Sequence, residues 1–118
     1  MPLTPETKNM ITTKELSLMK PTAYIINSAR GGIINEPGLA DALNHDQLAG
    51  AAIDSFNPEP PAPDNPLFTS KNTVLTSHIA GTTKEANAAL GIGAAQAIID
   101  FSNGKLPQFP VNPDVFAN

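Results

Sequence analysis

A small α/β fold built on a parallel sheet is what this sequence predicts, and three observations carry the expectation. Apolar runs recur at Ala23–Ser28, Leu48–Ile53 and Thr73–Thr76, each too short for a helix and flanked by Gly, Pro or polar residues. Segments with capping residues and helical spacing stand before, between and after them. The connections are short, and alternation with such short crossovers favours parallel strands covered by helices.

Residues 2–11 are polar and irregular. Thr12 followed by Glu15 has the capping-box spacing, which predicts a helix over Thr13–Lys20 that stops before Pro21. Ala23–Ser28 (AYIINS) reads as a buried parallel strand. Asn35 can cap the next helix, with Pro37 in its first turn and Leu39, Ala40, Ala42 and Leu43 on its apolar face. Leu48–Ile53 (LAGAAI) reads as a second buried strand, and residues 57–69 (NPEPPAPDNPLFT) as a proline-rich loop. Thr73–Thr76 supplies the third strand. Thr82 and Glu85 repeat the capping-box spacing and open an alanine-rich helix over Thr83–Phe101. From Asn103 the tail carries three prolines and is expected to be extended.

Composition excludes several roles. The 118 residues carry 7 basic and 11 acidic side chains, a formal net charge of −4, with no basic cluster for a phosphate backbone. No stretch approaches the roughly 20 apolar residues of a membrane span, and the N-terminus lacks the apolar core of a signal peptide. The absence of cysteine removes disulfides and thiolate metal sites, and no metal site is expected. A soluble cytoplasmic protein is the expectation.

Chemistry concentrates at the strand ends. Arg30 follows the first strand and precedes Gly31 and Gly32, where backbone can approach a ligand and a guanidinium can hold a carboxylate by two parallel bonds. A surface arginine at a turn fits that position equally. Asp54 ends the second strand, and Glu59 follows between Pro58 and Pro60, whose fixed backbone suits a carboxylate that must point one way. His78 follows the third strand and can exchange a proton near neutral pH. Alone, Glu59 reads more often as an exposed loop acid, and His78 more often as a structural histidine. Three consecutive strand ends bearing such residues converge on one edge of a parallel sheet, and that coincidence favours a site. His45, in a polar turn without a partner at motif spacing, reads as solvated surface.

Two patterns are set aside. Gly91-Ile-Gly93-Ala-Ala-Gln96 begins like a dinucleotide fingerprint, but it lies within a helical pattern, follows no strand and has Gln at the sixth position. Ser28, His78 and Asp54 could be written as a hydrolase triad, yet Ser28 lacks the strand-turn-helix elbow, and Arg30 and Glu59 would have no part.

The segments PLTPETKNMI, INSARGGIINEPGLADAL, LAGAAIDSFNPEP, NPLF and VLTSHIAGTTKEA together closely resemble the D-isomer-specific 2-hydroxyacid dehydrogenases, over about residues 2–105. The resemblance implies the second half of a Rossmann-type doubly wound sheet: about three strands, flanking helices and a long C-terminal helix. Residues 1–81 would be the C-terminal half of an NAD-binding domain, and 82–118 a crossover helix and tail leading back to a substrate domain. The implied cofactor is NAD, with NADP left open, and the implied substrate a small 2-hydroxy or 2-oxo acid. Arg30 would bind the substrate carboxylate and 2-oxo group, His78 would act as acid and base, and Glu59 would hydrogen-bond His78. Asp54 would contact the nicotinamide carboxamide, while Ser28, Ala29, Arg30, His78, Ala80 and Gly81 would line the nicotinamide end. The glycine-rich phosphate loop does not occur in these 118 residues. The expectation is therefore a fragment inactive by itself, which pairs with a missing N-terminal portion or forms a homo-oligomer. The alternative is a non-enzymatic α/β module that folds by self-association or by pairing with another chain.

Overall fold

Ile25 and Ile26, with a tyrosine ahead of them, favour extended backbone, and Tyr24–Asn27 forms the first strand, β1. It pairs in parallel with Gly50–Ile53 (β2), which pairs in parallel with Thr73–Leu75 (β3), in the order β1-β2-β3. The structure, a computed structural model, describes residues 1–116. It divides into two units, Met1–Ala80 and the residues from Gly81 onward.

In the first unit, Thr13–Leu16 forms a single helical turn, α1. Thr12 caps it, and Glu15 returns the capping-box bond to the Thr12 N–H at 2.9 Å. The expected helix to Lys20 is not formed. Leu18 and Met19 donate to Glu15 and Leu16, three residues back, so the chain tightens out of the helix before Pro21. Glu36–Asn44 forms α2, with Asn35 Oδ1 accepting from the Gly38 N–H at 2.8 Å and Pro37 in the first turn. Residues 2–11, read as irregular, contribute one parallel bridge, Ile11 to Ile34. The proline-rich loop contains a short 3₁₀ turn, Pro66–Thr69.

The core lies on one face of the sheet. Ala51 and Ile53 of β2 cluster with Leu39, Ala42 and Leu43 of α2, Leu16 of α1, and Leu67, while Ile25 and Leu75 pack at its margin. The opposite face departs from the expectation of buried strands: Tyr24 is 72% exposed, Ile26 74% and Val74 64%. These residues share one side by register, since Ile26 lies beside Ala52 and Ala52 beside Val74. A continuous apolar run has no period-two signal, so its sidedness was not visible in sequence.

The second unit is built on Lys84–Ser102, α3, which encloses the Gly91–Gln96 pattern in its interior. Its cap is Thr83, whose side chain accepts from the Ala86 N–H at 3.0 Å, one residue later than the Thr82 expected. No side chain of α3 is fully buried, and Leu90, Ile92, Ile98 and Phe101 are exposed. The tail contains a 3₁₀ turn at Pro113–Phe116, where an extended segment was expected. No helix among the described residues is long and apolar enough to cross a membrane.

Leu43, almost wholly buried between α2 and the sheet, sets the value of this core. Leu43→Ala is expected to lower unfolding stability by about 2–5 kcal/mol. Urea midpoints followed by circular dichroism check this, and a change below about 0.5 kcal/mol would show that the cluster does not hold the fold.

Candidate active site

Each of the three strands delivers its following loop to the same edge of the sheet, and the loops are bound to one another. At the end of β1, Asn27 is buried and folds its side chain over the turn. Its Oδ1 accepts from the Ala29 N–H at 3.1 Å, and its Nδ2 donates to the Arg30 carbonyl at 2.8 Å. This Asx-type clamp sets the backbone that carries Arg30. The exposed guanidinium donates from Nη1 to the Ala29 carbonyl at 2.6 Å and has no carboxylate partner among the described residues.

Gly31 is required by close approach. A Cβ there would stand 2.0 Å from the Phe56 carbonyl carbon and oxygen, so the turn after β1 lies directly on the chain leaving β2. Gly32 combines φ +78° with a near neighbour in the Asn57 side chain, which again favours glycine.

Asp54, at the end of β2, is buried and organises the loop after β3. Its carboxylate accepts from the Thr76 hydroxyl, from the Ile79 N–H at 2.9 Å and from the Ala80 N–H at 3.0 Å. Its backbone carbonyl accepts from the His78 N–H at 2.8 Å. The Thr76 hydroxyl first, then the Ala80 and Ile79 amides and the nearby His78, hold the Asp54 carboxyl below its usual range, against the opposing effect of burial.

His78 has φ +57°, in the left-handed region that is uncommon for non-glycine residues and that His, Asn and Asp enter more readily than the rest. The loop turns its ring toward Glu59. Nδ1 lies 2.9 Å from Oε1 and 3.0 Å from Oε2 of that carboxylate. An ionised carboxylate can only accept, so this contact places the proton on Nδ1 and leaves Nε2 as the free nitrogen. Both side chains are partly open to solvent. Glu59 lies between Pro58 and Pro60, and both X-Pro bonds are cis. An apolar cavity of about 740 Å³, walled by Phe56, Phe68, Pro61, Leu75 and Ile79, adjoins Glu59. Phe56 and Phe68 meet there with ring centroids 6.1 Å apart.

The expected residues are therefore distributed unevenly. His78 and Glu59 are in direct contact, and Asp54 is bonded to the loop that bears His78. Arg30 and Ala29 lie on the neighbouring turn. Ser28, Asp54, Thr76 and Ala80 border a second, apolar cavity of about 210 Å³, together with Ile26 and Val74. Gly81 belongs to the second unit. The Asp54 carboxylate has three donors within the chain. His45, read as having no partner, meets Asp41 one helical turn away at 3.2 Å. Sequence reading missed Asn27, Glu36, Thr76 and Asn65. Asn27 and Asn65, each an Asx residue two positions before an amide that donates to it, and Thr76, at a strand end, carried a local signal.

The lowered Asp54 pKa fixes a pH dependence. Because the folded-state value lies below the ordinary 3.8, the stabilisation is present above that value and is lost as pH falls through the lower folded-state pKa. The stability difference between the parent and Asp54→Asn should therefore shrink across that acid window. Urea midpoints measured along a pH series test this, and a difference independent of pH would refute it.

The chain is similar to known proteins along most of its length. The family model for the D-isomer specific 2-hydroxyacid dehydrogenase, NAD binding domain, matches residues 1–80. Glyoxylate reductase of Aeropyrum pernix is 41% identical over 115 residues, covering 98% of this chain and 34% of that protein. D-3-phosphoglycerate dehydrogenase of Escherichia coli K12 is 44% identical over 121 residues, covering 98% of this chain and 29% of that protein. The crystal structure of D-lactate dehydrogenase with NAD+ from Lactobacillus jensenii superposes with a TM-score of 0.86 at 29% identity, covering 94% of this chain and 37% of that one. The chain thus spans about a third of the length of the curated relatives it matches. It belongs to the family of NAD-binding domains of the D-isomer specific 2-hydroxyacid dehydrogenases.

Proposed function

We propose that this chain carries the reacting end of an NAD-dependent oxidoreductase that interconverts 2-oxo and D-2-hydroxy acids. The contact of His78 Nδ1 with the Glu59 carboxylate at 2.9 Å carries the reading. It leaves Nε2 to donate a proton to a carbonyl oxygen during reduction, or to accept one from a hydroxyl in the reverse direction. In the doubly protonated ring, Glu59 faces the charge and keeps the ring oriented. Arg30, on the adjoining turn and without an internal carboxylate, would hold the substrate carboxylate by paired hydrogen bonds. Negative charge developing on the substrate oxygen would be stabilised by these two cationic groups.

The chain's residues fit part of the dinucleotide. The apolar cavity bordered by Ser28, Asp54 and Ala80 lies at the carboxyl ends of the parallel strands and, at about 210 Å³, suits a ring more than a whole cofactor. NADH, when bound, supplies the hydride delivered to C2 of the substrate. The described residues include no G-x-G-x-x-G turn between a strand and a helix N-terminus to hold the pyrophosphate. Turnover by these 118 residues alone is therefore expected to be negligible, with the phosphate site supplied by further polypeptide.

A second reading rests on a separate observation. Tyr24, Ile26 and Val74 leave one sheet face apolar and exposed, and β1 is an edge strand among the described residues. Such a surface favours pairing with a second copy or with the rest of a longer enzyme.

Glyoxylate, a minimal 2-oxo acid, tests the first reading. Titrated into isotope-labelled chain, it should shift the Arg30 guanidinium and His78 ring signals saturably. Arg30→Ala should weaken binding by about tenfold or more. Saturable binding that leaves both residues unperturbed, or no binding at all, would overturn it. Light scattering on the same sample addresses the second reading: a discrete oligomer supports self-pairing, and a monomer at high concentration rejects it.

A further inference from the structure

We propose that Glu36 is a positioning residue for the His78–Glu59 pair, acting through the loop that carries Glu59. The proposal rests on reading His78 and Glu59 as an acid/base pair. Glu36 stands in the first turn of α2, makes no hydrogen bond to His78 or Glu59 among those of the described residues, and its side chain is buried. A buried carboxylate is costly unless its oxygens are hydrogen-bonded, so the identity of its donors is informative. Both lie in the Glu59 loop. Oε1 accepts from the Asn57 N–H at 2.9 Å, and Oε2 accepts from Asn65 Nδ2 at 2.6 Å. One carboxylate thus closes the two ends of the segment 57–65.

That segment has few other means of staying in place. Pro58, Pro60, Pro61 and Pro63 have no backbone N–H, so the loop is poor in donors. Its own backbone contributes one bond, from the Asn65 N–H to the Ala62 carbonyl at 3.0 Å. Asn65 is itself committed, because its Oδ1 accepts from the Leu67 N–H at 3.0 Å and its amide group therefore faces Glu36. Glu59 sits two residues past the Asn57 anchor. Releasing either end lets the carboxylate leave the 2.9 Å contact with His78 Nδ1. An acid in the first turn of a helix is otherwise explained by the helix dipole, but the dipole requires neither burial nor donors 21 and 29 residues away.

The tautomer of neutral His78 reports this directly. Held by Glu59, the ring carries its proton on Nδ1; released, it reverts toward the Nε2–H form. Ring ¹⁵N shifts above the titration range distinguish the two, and His45, beside Asp41, serves as an internal reference. Glu36→Ala should move the His78 shifts toward those of Glu59→Ala and leave His45 unchanged. Glu36→Gln keeps an acceptor for Asn57 but sets an amide against the Asn65 amide, and should produce part of the shift. Glu36→Gln with Asn65→Asp restores a donor–acceptor pair and should return His78 to the parent values. Ala42→Gly, a destabilising change elsewhere on α2, should leave the tautomer alone. The proposal fails if folded Glu36→Ala or Glu36→Gln keeps the parent tautomer, if the double variant does not recover it, or if Ala42→Gly moves it equally. Should Glu36→Ala fail to fold, the Gln variant and its rescue decide. Loss of glyoxylate binding would count against the dehydrogenase reading without moving the tautomer, so the two failures are distinguishable.

Discussion

The buried carboxylate of Asp54 is the interaction on which the site depends. One side chain collects the Thr76 hydroxyl and the amides of Ile79 and Ala80, and the backbone of the same residue collects the amide of His78. β3 is only three residues long, so a loop leaving it has little inherent direction. The bonds to Asp54 give it one, and they also cover the desolvation cost of burying the acid. Strand end and loop become one rigid body, from which the imidazole projects.

A second rigid connection joins the other two strand ends. Gly31 lets the turn after β1 rest against the carbonyl of Phe56. Arg30 and Glu59 therefore stand on segments in van der Waals contact, although their side chains share no bond. The proline-rich loop gains its order from outside itself, since its prolines cannot supply amides for internal turns. This division of labour is common where a flexible connection must present a charged group accurately: the scaffold provides the hydrogen bonds that the loop sequence cannot.

What was legible in the sequence follows from the range of the interactions. The three strands and the order of elements could be read because apolar runs and caps act within a few residues. The convergence of Arg30, Glu59 and His78 could be inferred because parallel topology sends consecutive strand ends to one edge. Sidedness was not legible: Tyr24 and Ile26 look as core-like as Ile25, and only the packing of α2 on the other face separates them. Glu36 was equally hidden, as an acid at a helix start has an adequate local explanation. The first helix was over-extended because Ser17 and Leu18 are compatible with a helix, while the 3₁₀ bonds that end it depend on the approach to Pro21. The Asp41–His45 contact, in contrast, had a visible four-residue spacing and should have been read.

The backbone at His78 limits how this position can change over evolutionary time. With φ at +57°, it accepts a side chain only with a conformational penalty that Gly avoids and that Asn or Asp, like His itself, reduces. A lineage that lost the need for an imidazole here would be expected to drift toward those residues, while Val or Ile would demand a rebuilt loop. Histidine is itself on the short list of side chains that this backbone tolerates, so conformation and ring chemistry restrict the position together.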